Sequence, residues 1–511
     1  MRQRASFHFG EEQLTPELAM QIAMGEVEGV LSAKVRDRVR QSAQYVEDIV
    51  RSDKSVYGVN TGFGPLCTTR ISASETQKLQ ENILVSHAVG VGDPLDDQLV
   101  RLMMILKTQA LAKGYSAIQE STLDRILLFL KLGIIPFVPS QGSVGASGDL
   151  APLAHLFLPL IGRGYCMIDG RKIPAKEVLA AHGLESIDLA PKEGLALING
   201  TQFIAAHATL AVHRLSRLIH RANITAAMMI EGLLASVKPF SAELHQLRPF
   251  PANIEVARQI RELLRESEVV ASHTNCTRVQ DPYSLRCIPQ VHGASLAALQ
   301  HLEHLLQIEL NSVTDNPVIF SNEHTISGGN FHGQPLAIAL DYACIAAAEI
   351  GNIADRRIYL SLEGDVPGVP KLLMKSTGTN SGFMIPQYTT AALVSENKGL
   401  CFPASADSIP TSLGQEDHVS MGSISGRKLL QVIGNCEKII GIELLCAAQA
   451  LDFHRPLQSA EAIAYLHNKV RESIPHLEED VEMEPLILAA IDMIRDDRLF
   501  DQLLDGEMLA C

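Results

Sequence analysis

Apolar residues recur at three- and four-residue steps along most of the chain, the spacing that lines one face of an α-helix. Leu79, Ile83, Leu84 and His87 fall on one face of a helix that the pattern starts near Ser74. Leu99, Leu102, Met103 and Leu106 do the same after Asp96-Asp97, and residues about 121–132 form a third run that Gly133 ends. Thr15-Pro16-Glu17 reads as an N-cap followed by proline, the start of a short helix. From Thr201 the apolar stretches lengthen, over 201–238, 291–312, 334–360 and 416–453. A helix of about 38 residues is about 57 Å long, so the pattern predicts an all-α, elongated helical bundle.

Two stretches break the helical period. From Ile134 to Ala151, Pro136, Pro139, Gly142, Gly145 and Gly148 forbid a continuous helix and predict a loop. Residues 163–175, with Asp169-Gly170 between short apolar runs, predict a small hairpin. The change of texture near residue 200 suggests two domains. Residues 1–200 would be a smaller, mostly helical part carrying the special loop, and 201–511 the long bundle.

Composition narrows the class. The 511 residues are 46% hydrophobic and 20% charged, with a mean hydropathy of +0.11. A chain this apolar, with no run of 18 or so uncharged apolar residues, is expected to bury surface against copies of itself. The net charge of −15 argues against nucleic acid as a partner. Basic Met1-Arg2-Gln3-Arg4 is followed by Phe9-Gly10-Glu11-Glu12 and not by an apolar core, which argues against a signal peptide or membrane anchor. The nine cysteines are scattered, odd in number and form no CxxC. Buried or idle thiols in a reducing cytoplasm are expected, without a disulfide framework.

The chemistry gathers in a few polar, glycine-rich segments. In Gly145-Ala146-Ser147-Gly148-Asp149 the backbone is free enough to fold onto itself. Attack of the Gly148 amide nitrogen on the Ala146 carbonyl carbon, with loss of two waters, would leave a methylidene in place of the Ser147 hydroxyl. Such an electrophile is not available from any ordinary side chain. The segment Tyr57-Gly58-Val59-Asn60-Thr61-Gly62-Phe63-Gly64 is a loop, and taken alone Tyr57 is as well explained by packing. Asn199-Gly200-Thr201 turns into a long helix with Thr201 as its expected N-cap; anion binding and plain capping explain it equally. Gln280-Asp281-Pro282-Tyr283-Ser284-Leu285-Arg286 is a turn that could bring Tyr283 and Arg286 to one cavity. There Arg286 would suit a carboxylate, although a surface arginine and a capping aspartate are a simpler reading. Ser327-Gly328-Gly329-Asn330-Phe331-His332-Gly333 suggests a close backbone approach. Gln415-Glu416-Asp417-His418 is expected at the start of a long helix, where acids complement the dipole or, if buried, move protons.

Other chemistries do not fit. No GK[ST] follows the glycines at 142–148, HExxH is absent, and the serine lacks both GxSxG and a surrounding α/β pattern. His301 and His304 share a helix face without a third ligand, so no metal is predicted.

Taken in order, Tyr57 to Gly64, Gly145 to His155, Asn199-Gly200-Thr201, Asp315-Asn316-Pro317, Gly329 to Gly333 and Gln415 to His418 resemble the ammonia-lyases that carry a 4-methylidene-imidazol-5-one (MIO) group. The resemblance spans essentially the whole chain. It implies the all-α fold shared with the fumarase–aspartase group, and a homotetramer whose active sites draw on three chains. It also implies MIO made from Ala146, Ser147 and Gly148 with no external cofactor. By position it makes Tyr57 and Tyr283 the acid and base, and gives Arg286 the substrate carboxylate. His87 and Glu416 would contact the substrate's side chain or amine. Asn199 and Gln280 would hydrogen-bond substrate or MIO, and Phe331 would shape the surroundings of MIO. Ser86-His87 is the pair typical of members acting on histidine, and Glu416 stands where members acting on phenylalanine and tyrosine lack an acid. L-Histidine, giving trans-urocanate and ammonia, is therefore the expected substrate. A tyrosine or phenylalanine lyase or aminomutase is the alternative, and a non-catalytic helical scaffold the remote one.

Overall fold

The computed structural model describes residues 5–52, 56–62, 71–72, 75–273 and 279–504. Phe63, Gly64, Cys67, Ser74, Cys276 and Cys511 lie outside the described residues. The fold is all-α, with a few strands of two to four residues. The long apolar periods become the helices Gln202–Gly232, Ile288–Glu309, Gln334–Ser361 and Gly422–Asp452. Thr15 caps Pro16–Met24 as expected, its hydroxyl accepting from Leu18 N at 3.2 Å. The hairpin forms between Tyr165–Ile168 and Arg171–Pro174, and Asp169 (φ 48°) and Gly170 (φ 73°) make the left-handed turn that two-residue hairpins require.

Two expectations of local structure change. The last long helix begins at Gly422, so Glu416 and Asp417 do not lie in its first turn. Glu416 instead pairs antiparallel with Thr411, whose N–H donates to Glu416 O at 2.9 Å. The stretch from Ile134 to Ala151 is not all loop: Ile135–Pro136 and Pro139–Gln141 are short strands, and a helix runs from Leu150 to Phe157. Proline on an edge strand needs no partner for its nitrogen, which is how a proline-marked loop hides two strands.

The chain folds into two units, each drawn from three stretches of sequence. The first comprises Met1–His213, Leu302–Asp341 and Pro403–Arg427; the second comprises Arg214–His301, Tyr342–Phe402 and Lys428–Cys511. Neither is a continuous half of the chain divided near residue 200.

In the first unit, three helices pack against one another: Thr76–His87, Leu150–Phe157 and Glu193–Ile198. Gly194 permits this, because a Cβ there would lie 2.3 Å from Gln80 O. The first of these helices ends at His87, the second starts just past Gly148, and the third is capped by Asn199. Beneath them, Lys192 and Asp315 form a fully buried ion pair at 2.7 Å. In the second unit, Arg357 and Glu443 form another buried pair, and Arg357 Nη1 also donates to Ser284 O at 3.4 Å. The helix Gln334–Ser361 is long and apolar enough to cross a membrane, but 72% of its 18-residue apolar stretch is buried within the protein.

Candidate active site

A cavity of about 1090 Å³ opens at the ends of the three packed helices, and its walls come from the first unit. Tyr57, His87, Ala146, Ser147, Asn199, Phe331 and Glu416 all line it. Residues spread over some 360 positions of sequence thus meet around one serine, as the resemblance implied. Gln280, Tyr283 and Arg286 belong to the second unit. They stand together there: Arg286 Nη2 donates to Gln280 Oε1 at 2.8 Å, and its guanidinium carbon lies 4.6 Å from the centre of the Tyr283 ring. Tyr283 is 71% exposed.

The serine segment is held from both sides. Gly148 (φ 75°) forms a parallel bridge with Gly200; Asp149 N donates to Gly200 O at 2.7 Å, and Gly200 N donates to Ser147 O at 3.3 Å. Asn199 Nδ2 donates to the same Ser147 oxygen at 2.8 Å. From the other side, Met421 N donates to Val144 O at 3.1 Å, and Ser423 Oγ donates to Ser143 O at 2.6 Å. Ala146 packs with Val419 and Met421. The close approach expected of the 327–333 segment occurs at Gly333, where a Cβ would lie 2.5 Å from Ile204 Cδ1 and 3.0 Å from Ser420 Oγ; a Cβ at Gly328 or Gly329 would meet nothing within 4 Å.

Asp149 does the capping expected of Thr201. Its Oδ2 accepts from Ile204 N at 3.0 Å and its Oδ1 from Ser143 Oγ at 2.8 Å, while the Thr201 hydroxyl donates to Glu309. Complete burial pushes the Asp149 carboxyl up to about 7.

The Ser147 hydroxyl donates to Glu416 Oε1 at 2.8 Å. Thr411 Oγ1 donates to the other oxygen, Oε2, also at 2.8 Å, so the carboxylate is fixed in orientation. Burial pulls the His87 imidazole below its ordinary range, against the Ile83 carbonyl and the Glu416 charge, which pull the other way. Near neutral pH it is therefore an uncharged hydrogen-bonding group, with Ser86 Oγ 3.0 Å from Nδ1. Asn199 Oδ1 is buried without a hydrogen-bond partner among the described residues. An unmet buried acceptor at a cavity wall is a place for a donor on a bound molecule.

Four residues of this site were not singled out by their sequence pattern. Thr411 fixes Glu416. His332 and His418 line the cavity with stacked rings 5.5 Å apart, and His332 Nε2 donates to His418 O at 3.3 Å. Lys107, 1% exposed, donates through Nζ to Asn199 O at 2.6 Å. A lysine in the otherwise apolar Leu102–Leu106 neighbourhood was the one available signal for the last.

Known proteins align with this arrangement along nearly the whole chain. The family described as aromatic amino acid lyase matches residues 14–472. A histidine ammonia-lyase of Natranaerobius thermophilus is 46% identical over 496 residues, 97% of each chain. The crystal structure of histidine ammonia-lyase from Trypanosoma cruzi is similar with a TM-score of 0.90 and 38% identity, over 98% of this chain and 95% of that one. A tyrosine aminomutase from Streptomyces globisporus has a TM-score of 0.92 at 35% identity, over 98% of both chains.

Proposed function

This chain belongs to the aromatic amino acid lyase family, and we propose that it is the member that releases ammonia from L-histidine, a carbon–nitrogen lyase giving trans-urocanate. The observation that carries the substrate is the cavity pairing of an uncharged His87 with a carboxylate, Glu416, fixed by Thr411. An imidazole has one N–H to give and one ring nitrogen to accept, and a fixed carboxylate with a neutral histidine meets both needs. A tyrosine hydroxyl gives and accepts at one atom and not at two ring positions, and an apolar phenylalanine ring would desolvate the carboxylate unpaired.

The residues present fit the MIO group. Gly148 is cradled so closely that a Cβ would lie 2.2 Å from Gly200 O, which forces the Ala146–Gly148 backbone into a tight bend. Ala146, Ser147 and Gly148 would form the group, and Asn199 and Gly200 would hold its carbonyl, which is the present Ser147 oxygen. When formed, MIO supplies an electrophilic methylidene carbon that turns the substrate's nitrogen into a better leaving group. The two donors on the Ser147 oxygen draw electron density from that segment, as paired donors do in an oxyanion hole. Asn199 Oδ1, buried without a partner among the described residues, would accept from the substrate's amine. Tyr57 on the cavity wall is one of the two groups that move protons, with Tyr283 the other. The Gln280–Tyr283–Arg286 cluster, exposed at Tyr283, suits a homotetramer in which a neighbouring chain completes the cavity. Arg286 then receives the carboxylate bidentately, and Phe331 shields the reacting carbon from water. No external cofactor enters. Free thiols at Cys166, Cys287, Cys436 and Cys446 suit a reducing cytoplasm.

The test is an absorbance assay for urocanate on purified protein with L-histidine, together with intact mass. The expected mass is lower than the sequence mass by two waters, and Ser147→Ala should lose both that deficit and the activity. A wild-type chain at full sequence mass would overturn the MIO assignment. Turnover of L-tyrosine but not L-histidine would overturn the substrate.

A further inference from the structure

Lys107 lies on the helix Asp97–Leu111, most of which is buried, and its ammonium is removed from water altogether. Such a charge is costly to keep unless a carboxylate pairs with it. Here the nearby carboxylates are committed elsewhere: Asp315 pairs with Lys192 at 2.7 Å, and Asp149 accepts from Ser143 Oγ and Ile204 N. The hydrogen bonds of Lys107 go to neutral acceptors, Asn199 O at 2.6 Å and Gln202 Oε1 at 3.4 Å. Burial brings its amine down to about 7, opposed by Asp315 and Asp149 and reinforced by Lys192. A group this poorly compensated on stability grounds calls for another reason to be there.

The Asn199 oxygen that Lys107 grips belongs to the peptide joining Asn199 to Gly200. The N–H of that same peptide, on Gly200, donates to Ser147 O at 3.3 Å. A cation on a peptide oxygen polarises the whole amide and strengthens its N–H as a donor. The next link beyond that N–H is the Ser147 carbonyl, which also receives Asn199 Nδ2. One peptide group therefore separates the buried Lys107 amine from the oxygen that would become the MIO carbonyl.

Resting on the MIO reading above, we propose that Lys107 is a positioning residue that pins and polarises the Asn199–Gly200 peptide against the Ser147 carbonyl, promoting ring closure and raising the electron demand of the finished group. The closure balances without any oxidant. A bond forms from Gly148 N to the Ala146 carbonyl carbon. The Ala146 oxygen leaves as water with the hydrogens of Gly148 N and Ser147 N. The Ser147 hydroxyl leaves as a second water with the Ser147 Cα hydrogen. Bond formation requires the bend that the Gly148–Gly200 bridge maintains, and loss of the Ser147 Cα hydrogen with the hydroxyl draws electrons toward the Ser147 carbonyl.

The experiment compares full-length wild type, Lys107→Met, Lys107→Gln and Lys107→Arg by circular dichroism, intact mass, near-ultraviolet absorbance of the group, and kcat and KM for L-histidine. In Lys107→Met and Lys107→Gln, a folded protein with an incompletely dehydrated mass is expected. The dehydrated fraction should show a shifted absorbance band and a kcat lower by about ten- to hundredfold, the scale of one charge-assisted hydrogen bond, with KM little changed. Lys107→Arg, which keeps the charge, should recover much of both. Full dehydration of the folded Met and Gln variants with wild-type spectrum and kcat would overturn the proposal. Failure of both neutral variants to fold would overturn it too, by making Lys107 a folding residue only. A wild-type chain at full sequence mass would instead sink the MIO reading itself, which separates the two failures.

Discussion

Replacing Gly148 with alanine should abolish both maturation and activity, and the structure gives the size of the effect. Gly148 sits at φ 75°, where an L-residue costs about 1–2 kcal/mol. Its added Cβ would lie 2.2 Å from Gly200 O and 2.4 Å from Gly200 C, backbone atoms that cannot rotate away. Relief requires the two strands of the bridge to separate by about an ångström, which breaks the bonds Asp149 N to Gly200 O and Gly200 N to Ser147 O. Two buried hydrogen bonds cost about 2–6 kcal/mol together, so the total is roughly 3–8 kcal/mol. A matched control exists in Gly170, at φ 73° with nothing within 4 Å of its would-be Cβ. Gly170→Ala should carry the conformational strain alone, lose about 1–2 kcal/mol, and stay fully dehydrated and active. Urea unfolding gives the stability difference, intact mass gives dehydration, and urocanate absorbance gives turnover. A Gly148→Ala protein that unfolds no earlier than Gly170→Ala and still loses two waters would refute the reasoning about the bridge.

Three further outcomes are expected. Thr411→Val removes the hydroxyl that orients Glu416 and should lower kcat/KM for L-histidine about ten- to hundredfold, while Thr411→Ser stays near wild type; steady-state kinetics decide. Lys192→Met strands Asp315 as an unpaired buried charge and should destabilise by about 3–5 kcal/mol, read from denaturant midpoints at constant slope. Burial brings the His207 imidazole down to about 4 from 6.5. Because the folded value lies below the unfolded one, its contribution is whole above pH 6.5 and is lost as pH falls from 6.5 toward 4. Up to about 1.4 kcal/mol per pH unit should go from this group, and His207→Gln should make the acid limb of a urea-stability series shallower.

The long helices were legible because apolar periodicity over thirty residues leaves no competing period, and the Asp169-Gly170 turn because its residue types demand left-handed backbone. Ser147 and its distant companions were legible as polar, glycine-rich islands that no packing rule explains. Other parts had no local signature. Glu416 looked like a helix-starting acid, and its extended pairing with Thr411 depends on the turn between them. Thr201 had the right residue type for a cap, but Asp149 occupies that role from 55 positions away. Lys107 reaches Asn199 across 92 positions, and nothing in the residues around it names that partner. The division into two interleaved units is likewise invisible in a chain read from end to end, since it depends on which distant segments pack together.

The clasp around the serine segment has a consequence for the newly made chain. Ser143 is held by Ser423, 280 positions later, and Gly145 by Ser420, 275 positions later. At about 5–20 residues per second, a ribosome needs roughly 15–55 s between making the segment and making its clasp. On the MIO reading, the nascent chain would carry an ordinary serine during that interval. Chains released before residue 423 contain every atom of the electrophile's precursor but lack one side of its clasp, so they should remain chemically harmless. On the MIO reading, synthesis of the reactive group would thereby be confined to molecules whose translation has passed the clasp and whose folding has closed it.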